Sequence, residues 1–390
     1  MTATLALTFA EAESCWVTWQ WTDRPGPEAA QLAPDVLVTV PTFFAQTLPD
    51  ASVGESVAEA MERAKRGPLN NPADTALIAG QLADGLIPWP VVMELVDRAQ
   101  RDGQRPRLRI LPSPSLAQVP WPMLLVRLTA DGSKRVMLAE IADVYLGVPG
   151  GVAQQARPTA VGDAVVMAVD PRVPGYAADS VLGSVLGRPK ADDILAQLLE
   201  RHAGHIAPPV GSYPELVRRT DLDRSWLRDA LRDAARFLFV GHVSAAGVEL
   251  ATGESSALHL GCVDAQGVHA PLTAHDIMTD DDWRFPSRVA LMGCGSGTDL
   301  RYPEPLGLTM AAVLAGAQLV TSAAWTLPTD AALEGEPLRR LILAVDEAHA
   351  SPDPVAALNA WQVERAAAWA DSGQPADSPL VWAAVHTHLV

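Results

Sequence analysis

Apolar positions recur along this chain with two different periods, and each change of period marks an element. Near the N-terminus, Thr4–Phe9 and Cys15–Trp21 are short runs, the second rich in aromatic and β-branched residues (Trp16, Val17, Thr18, Trp19, Trp21), and together they predict a β-hairpin. Val36–Val40 reads as a further short strand. Val57–Arg66, Leu77–Leu82 and Val91–Gln100 have the texture of helices. From Arg107 the pattern changes. Leu108–Leu111 predicts a strand, and Pro112, Pro114, Pro120 and Pro122 punctuate the loop and helix after it. Arg135–Leu138 and the continuous apolar run Ala164–Val169 read as strands. Helical patterns at Ala191–His202 and Ser225–Ala234 lead to strands at Arg236–Gly241 and Val289–Gly293, with a short helix around Ile277 between them. A helix Leu306–Ala315, a strand Gln318–Ala323, helices Ala331–Asp346 and Val355–Ala370, and a last strand Leu380–Val390 complete the series.

Short apolar strands alternating with helices predict an α/β fold with a mostly parallel sheet flanked by helices. In such sheets ligands and catalytic groups collect at the C-terminal ends of the strands. No fixed-period repeat and no long low-complexity linker interrupts the series. The change at Arg107 suggests an N-terminal accessory region of hairpin and helices over residues 1–104, and a main domain over 105–390 whose catalytic half is about 161–390. Gly307–Leu327 is uncharged and long enough for a membrane span. Its Thr309, Gln318, Thr321 and Ser322, and the break at Gly316, instead favour a helix followed by a buried strand.

Composition narrows the function classes. The 390 residues are 48% hydrophobic, ample for a large core, and carry 29 Lys and Arg against 46 Asp and Glu, a net charge of −17. That balance argues against nucleic acid as a partner, because phosphate binding needs clustered positive charge. The three cysteines, Cys15, Cys262 and Cys294, are odd in number, widely spaced and free of any CxxC. They fit a reducing cytoplasm better than a disulfide framework. Met1–Ala10 is apolar but lacks a basic leader and runs into Glu11 and Glu13, so it does not read as a signal peptide. No membrane partner is expected.

Two strand ends carry candidate chemistry. His242 follows the run Phe237–Val240 and Gly241; Cys294 follows Val289–Gly293, inside a turn with Gly293, Gly295 and Gly297. On neighbouring parallel strands the two would emerge side by side. An imidazole beside a thiol lowers its pKa or takes its proton, and the thiolate is the nucleophile. Glycines let backbone N–H groups approach a developing oxyanion, and Ser296 would brace the turn. From spacing alone, a buried structural cysteine and histidine account for the same residues.

Other clusters are weaker. His259, Cys262, His269 and His275 suggest zinc, but the gap between the two pairs is only six residues where a zinc finger has about a dozen. The segment reads as a hairpin and loop, and no metal is expected. Asp280-Asp281-Asp282 reads as a solvated turn. There is no GxxxxGK[ST] and no convincing GxGxxG, so no nucleotide cofactor is expected.

Taken in order, these segments resemble the CHAT domain, a bacterial branch of the caspase-like, separase-related cysteine peptidases of clan CD. Leu108–Pro112 through Leu116, with Val119-Pro120-Trp121 and Leu124, resembles the family's opening strand and "lPfeaL" segment. Ala164–Pro171 is similar to its "lalgdP" strand. Thr220 and Leu227 through Gly241-His242 resemble "aT…lHfaGHG". Ser256–Leu260 and Pro271–Ile277 are similar to "s.L.L…Lta.di". Cys294-Gly295-Ser296-Gly297 resembles "ACxSG", Ser322–Trp325 resembles "vaslW", and Pro379–Ala384 the closing "p..WAaf".

The resemblance implies a caspase-like fold and hydrolysis of peptide bonds through an acyl-enzyme. Cys294 would be the nucleophile and His242 the general base and acid. The backbone N–H groups of Val243 and Cys294 would form the oxyanion hole. It also implies a protein substrate such as a gasdermin-like pore former, in a bacterial defence or signalling circuit, with a separate activator or sensor protein. Two positions depart from the pattern. "GHG" reads Gly241-His242-Val243, and a β-branched residue resists positive φ. The acid that relatives carry four residues after the Trp is Thr329 here, with Asp330 next. A basic P1 residue would then be read by Asp330, helped by Asp299 and Glu304, unless Asp330 caps the helix expected from Ala331. Two other readings stay open. One is an inactive caspase fold used as a binding scaffold. The other is an α/β-hydrolase with a Cys nucleophile, in which His349, His386 or His388 would serve as base.

Overall fold

A computed structural model describes residues 2–244, 253–302 and 304–390. The chain divides into two compact units, Met1–Gly147 with Ser351–His386, and Val148–Ala350 with Thr387–Val390.

In the first unit the expected hairpin is present. β1 (Thr4–Glu11) and β2 (Cys15–Trp21) pair antiparallel, and their alternate residues Leu5, Leu7, Phe9, Cys15, Val17, Trp19 and Trp21 are buried. β3 (Glu28–Gln31) lengthens the hairpin antiparallel to β2. On the other side β1 runs parallel to β4 (Arg107–Leu111). β5 (Leu125–Arg127) and β6 (Arg135–Met137) form a small separate ribbon, and β7 (Asp143–Gly147) lies parallel to β4. Helices Val57–Arg66, Pro72–Leu86, Trp89–Asp102 and Pro354–Ser372 belong to this unit. The last is tied to the sheet by Val144 N–H, which donates to buried Asn359 Oδ1 at 2.6 Å.

Val36–Val40, expected as a strand, is the first part of a helix Val36–Thr47. Its buried residues are Val36, Val40, Phe44 and Thr47, a helical period that a five-residue window of β-branched residues conceals. The expected last strand Leu380–Val390 is likewise two elements: a helical turn Pro379–Trp382, capped by the Ser378 side chain, and a strand Val385–Leu389.

The second unit is built on β8 (Ala164–Val169), β9 (Ile206–Ala207) and β10 (Ala234–Val240). A three-stranded antiparallel sheet of β11 (Val243–Ser244), β12 (Ala257–Leu258) and β13 (Leu272–Thr273) comes next in the chain. β14 (Arg288–Met292), β15 (Leu319–Ala323) and the end of β16 (Val385–Leu389) complete the main sheet, whose order is β16-β15-β14-β10-β8-β9. The pairs β14–β15, β10–β14, β8–β10 and β8–β9 are all parallel. β8, β10 and β14 are nearly continuous apolar runs, as strands covered on both faces are. This is the α/β arrangement that the alternation of strands and helices predicts.

Gly307–Leu327 resolves into a helix Leu308–Leu314, a turn at Gly316 with φ 117°, and β15. Among the described residues no single helix is long and apolar enough to cross a membrane. The helix expected from Ala331 begins at Pro337, because Gly335 and Glu336 take positive φ and break the pattern before it. The expected Ala191–His202 helix is a 3₁₀ turn Ile194–Ala196 leading into Gln197–Arg201.

Candidate active site

Val240 and Met292 are register partners on the adjacent parallel strands β10 and β14. His242 and Cys294 each lie two residues beyond that matched pair, at the same end of strands spaced roughly 4.8 Å apart. Gly241 N–H donates to the Met292 carbonyl at 3.2 Å, which carries the register one step past the strand end.

His242 is anchored from below. Its Nε2 lies 3.1 Å from the Gly183 carbonyl oxygen. A carbonyl only accepts, so Nε2 carries the proton and the neutral ring keeps its lone pair on Nδ1. Arg218 Nη1 donates to the same carbonyl at 2.9 Å and pairs with the buried Asp170 carboxylate at 3.5 Å. Asp170 also accepts from the Ser184 hydroxyl and from Val185 N–H at 3.2 Å, so the end of β8 holds the loop that offers the carbonyl. Asp170 and Arg218 are both left-handed, with φ of 46° and 59°, and Arg218 N–H donates to the Asp170 carbonyl at 3.2 Å. Burial pushes the His242 pKa below its usual 6.5, and the Gly183 carbonyl and Asp170 act the other way.

Cys294 sits in a turn fastened to β15. Gly295 has φ 63°, and its N–H donates to the Trp325 carbonyl at 3.1 Å. Ser296 Oγ donates to the Leu291 carbonyl at 2.6 Å and accepts from Ala323 N–H at 2.9 Å, bracing the turn as expected. Cys294 is partly exposed, with its Sγ 4.0 Å from the Leu327 carbonyl oxygen. Cys15 and Cys262 are buried, and burial pushes both thiols up.

The family model of the CHAT domain matches residues 76–389. The chain belongs to the CHAT domain family. Two crystal structures of the Saccharomyces cerevisiae separase–securin complex, at 2.6 and 3.0 Å resolution, share the fold. They match with TM-scores of 0.52 and 0.50 at 12% and 10% identity. Each match covers 99% of this chain and 30% of the separase chain, so the chain spans under a third of that protein's length. No curated protein matches the sequence significantly.

Against the CHAT pattern, Val243 is the clearest departure, and the backbone accommodates it. It lies in β11, and the only non-glycine residues at positive φ among those described are Asp170, Arg218 and Glu336. The His259 N–H donates to the His242 carbonyl at 3.1 Å, so Val243 and Leu258 are the non-hydrogen-bonded pair of their ladder. Val243 N–H therefore points away from β12. The Val243 side chain occupies space above Gly293, where a Cβ would meet its Cγ2 at 2.5 Å.

The three acids expected around a substrate pocket differ in their surroundings. Asp330 Oδ1 accepts from Leu338 N–H at 2.8 Å, and Oδ2 pairs with Arg339 at 2.6 Å. It thus serves the first turn of the helix Pro337–Ala350, rather than a helix starting at Ala331. Asp299 is 2% exposed, accepts from Met310 N–H at 2.9 Å, and is pushed up to about 7 by burial. Both carboxylates are engaged by groups within the protein. Glu304 is exposed.

The other candidate bases are buried. His349 is buried with Nε2 2.8 Å from Thr321 Oγ1, and burial pushes its pKa to about 3. His386 and His388 are buried on β16. Among the described residues no three His, Cys, Asp or Glu side chains gather to hold a metal ion. Sequence reasoning missed Gly183, Arg218 and Asp170 as supports of His242. Asp170, polar at the end of an apolar strand, was the one signal.

Proposed function

We propose that this CHAT domain chain is a cysteine endopeptidase acting through Cys294 and His242. The observation that carries the reading is the placement of both residues two steps beyond one register pair, with the imidazole already committed at Nε2. Nδ1 takes the Cys294 proton, and the thiolate attacks the scissile carbonyl. The N–H groups of Val243 and Cys294 hold the oxyanion, and His242 returns the proton to the leaving amine. Water then hydrolyses the acyl-enzyme by the reverse proton path. The substrate is a protein, such as a gasdermin-like pore former, cut in a bacterial defence or signalling circuit in the cytoplasm. The separase structures hold securin, which supports control by a separate protein here. Glu304, the exposed acid of the nucleophile loop, reads a basic P1 side chain.

An acyloxymethyl ketone peptide with Arg at P1 tests the reading. It should alkylate Cys294, and His242→Ala should prevent it. A Cys294 that stays unreactive in every state tested would leave the fold as a binding scaffold.

A further inference from the structure

We infer that Ser244 is a second nucleophile, activated through two histidines in series and suited to take an acyl group from an ester. Ser244 Oγ lies 2.6 Å from His259 Nε2. His259 Nδ1 lies 2.9 Å from His269 Nε2, and His269 Nδ1 lies 3.0 Å from the Cys262 carbonyl oxygen. The ring planes are within 28° of each other.

The backbone carbonyl fixes every proton in this chain. It only accepts, so His269 carries its proton on Nδ1 and accepts at Nε2. His259 must then donate from Nδ1 and accept at Nε2, and the Ser244 hydroxyl donates to it. A nucleophile, a base and a third group that orients the base are the parts of an activated serine. Burial sets the base: His259 is 5% exposed and pushed down to about 4, with the nearby His269 and His242 adding to the effect. It therefore stays neutral near pH 7. Ser244 itself is exposed. The relay therefore runs from a buried base to a hydroxyl at the surface.

In the reaction Ser244 Oγ bonds to the ester carbonyl carbon while His259 Nε2 takes its proton. The carbon–alkoxide bond breaks, and the alkoxide leaves with that proton as an alcohol. A fluorophosphonate probe takes the same route, with a P–O bond formed, the P–F bond broken and hydrogen fluoride released.

The test uses the full chain carrying Cys294→Ala, so that failure of the peptidase reading and failure of this one are distinguishable. Fluorophosphonate adducts are located by intact mass and peptide mapping. The folded chain should be labelled at Ser244 about a hundredfold faster than the same chain in urea, the scale of general-base assistance. His259→Gln should remove that advantage. Because His259 is buried and its replacement can unfold the chain, His269→Gln, which removes only the orienting group, should slow labelling in parallel. No Ser244 adduct on the folded chain, or equal rates folded and unfolded, would overturn the inference.

Discussion

The Cγ2 atom of Val243 lies 2.5 Å from the position a Cβ would take on residue 293, and Gly293 leaves that space open. The family pattern has Gly after the His and Ala before the Cys; here the two positions read Val and Gly. The larger residue on β11 and the smaller one after β14 offset each other. Gly293→Ala should therefore overpack the site and cost about 1–3 kcal/mol. A Cβ there would also meet the Gly241 carbonyl oxygen at 2.8 Å, so Val243→Gly should relieve the clash only in part. Thermal unfolding of both single variants and the double variant should show coupling of about 1 kcal/mol. Strict additivity would mean the two departures are unrelated.

Cys294→Ala should abolish cleavage with little change in unfolding temperature, because the residue is partly exposed. Cys15→Ala and Cys262→Ala remove buried thiols, so they should lower stability modestly and leave peptide-ketone labelling intact. Loss of labelling in Cys262→Ala with a folded protein would move the nucleophile.

The acid side of the pH profile should track His242. The base works as neutral imidazole, and burial lowers its pKa from 6.5. Activity should thus be full at neutral pH and fall only as pH drops through a point below 6.5. Asp170 favours the imidazolium, so Asp170→Asn should move that point to still lower pH, while kcat falls as the Gly183 anchor loosens. The profile of kcat/KM against pH reads the first effect, and an unmoved acid limb would show that Asp170 is not coupled to the imidazole.

Asp330→Asn should cost about 1–2 kcal/mol, through the lost cap and the weakened partner of Arg339. The P1 profile should not change. Glu304→Gln should weaken any preference for Arg or Lys in a peptide library. The reverse outcome, with Asp330 alone setting P1, would return that acid to the pocket.

The candidate dyad was legible because each member directly succeeds a continuous apolar strand, and apolar runs are the strongest pattern a parallel sheet writes into its sequence. The failures have local causes. Val36–Val40 looked like a strand because a β-branched window hid a helical period that shows only when Phe44 and Thr47 are included. Asp330 was ambiguous because an acid before a helix looks the same whether it caps or faces a ligand. The Gly183 carbonyl could not be read at all, since a backbone acceptor 59 residues before His242 has no side-chain signature. His259 and His269 were visible as a cluster, but only the direction of their protons separates a metal pair from a relay.

Asp170 and Arg218 hold left-handed backbone without being glycine, at the place that carries the anchor of His242. Each such residue costs on the order of 1–3 kcal/mol. Glycine at either position would release that strain and still lose stability, because Asp170 is fully buried, holds Ser184 and Val185, and pairs with Arg218. The bonds that aim the Gly183 carbonyl at His242 therefore also hold the strained backbone in place. A thermostability screen should return neither position, although two non-glycine residues at positive φ would ordinarily be its first targets.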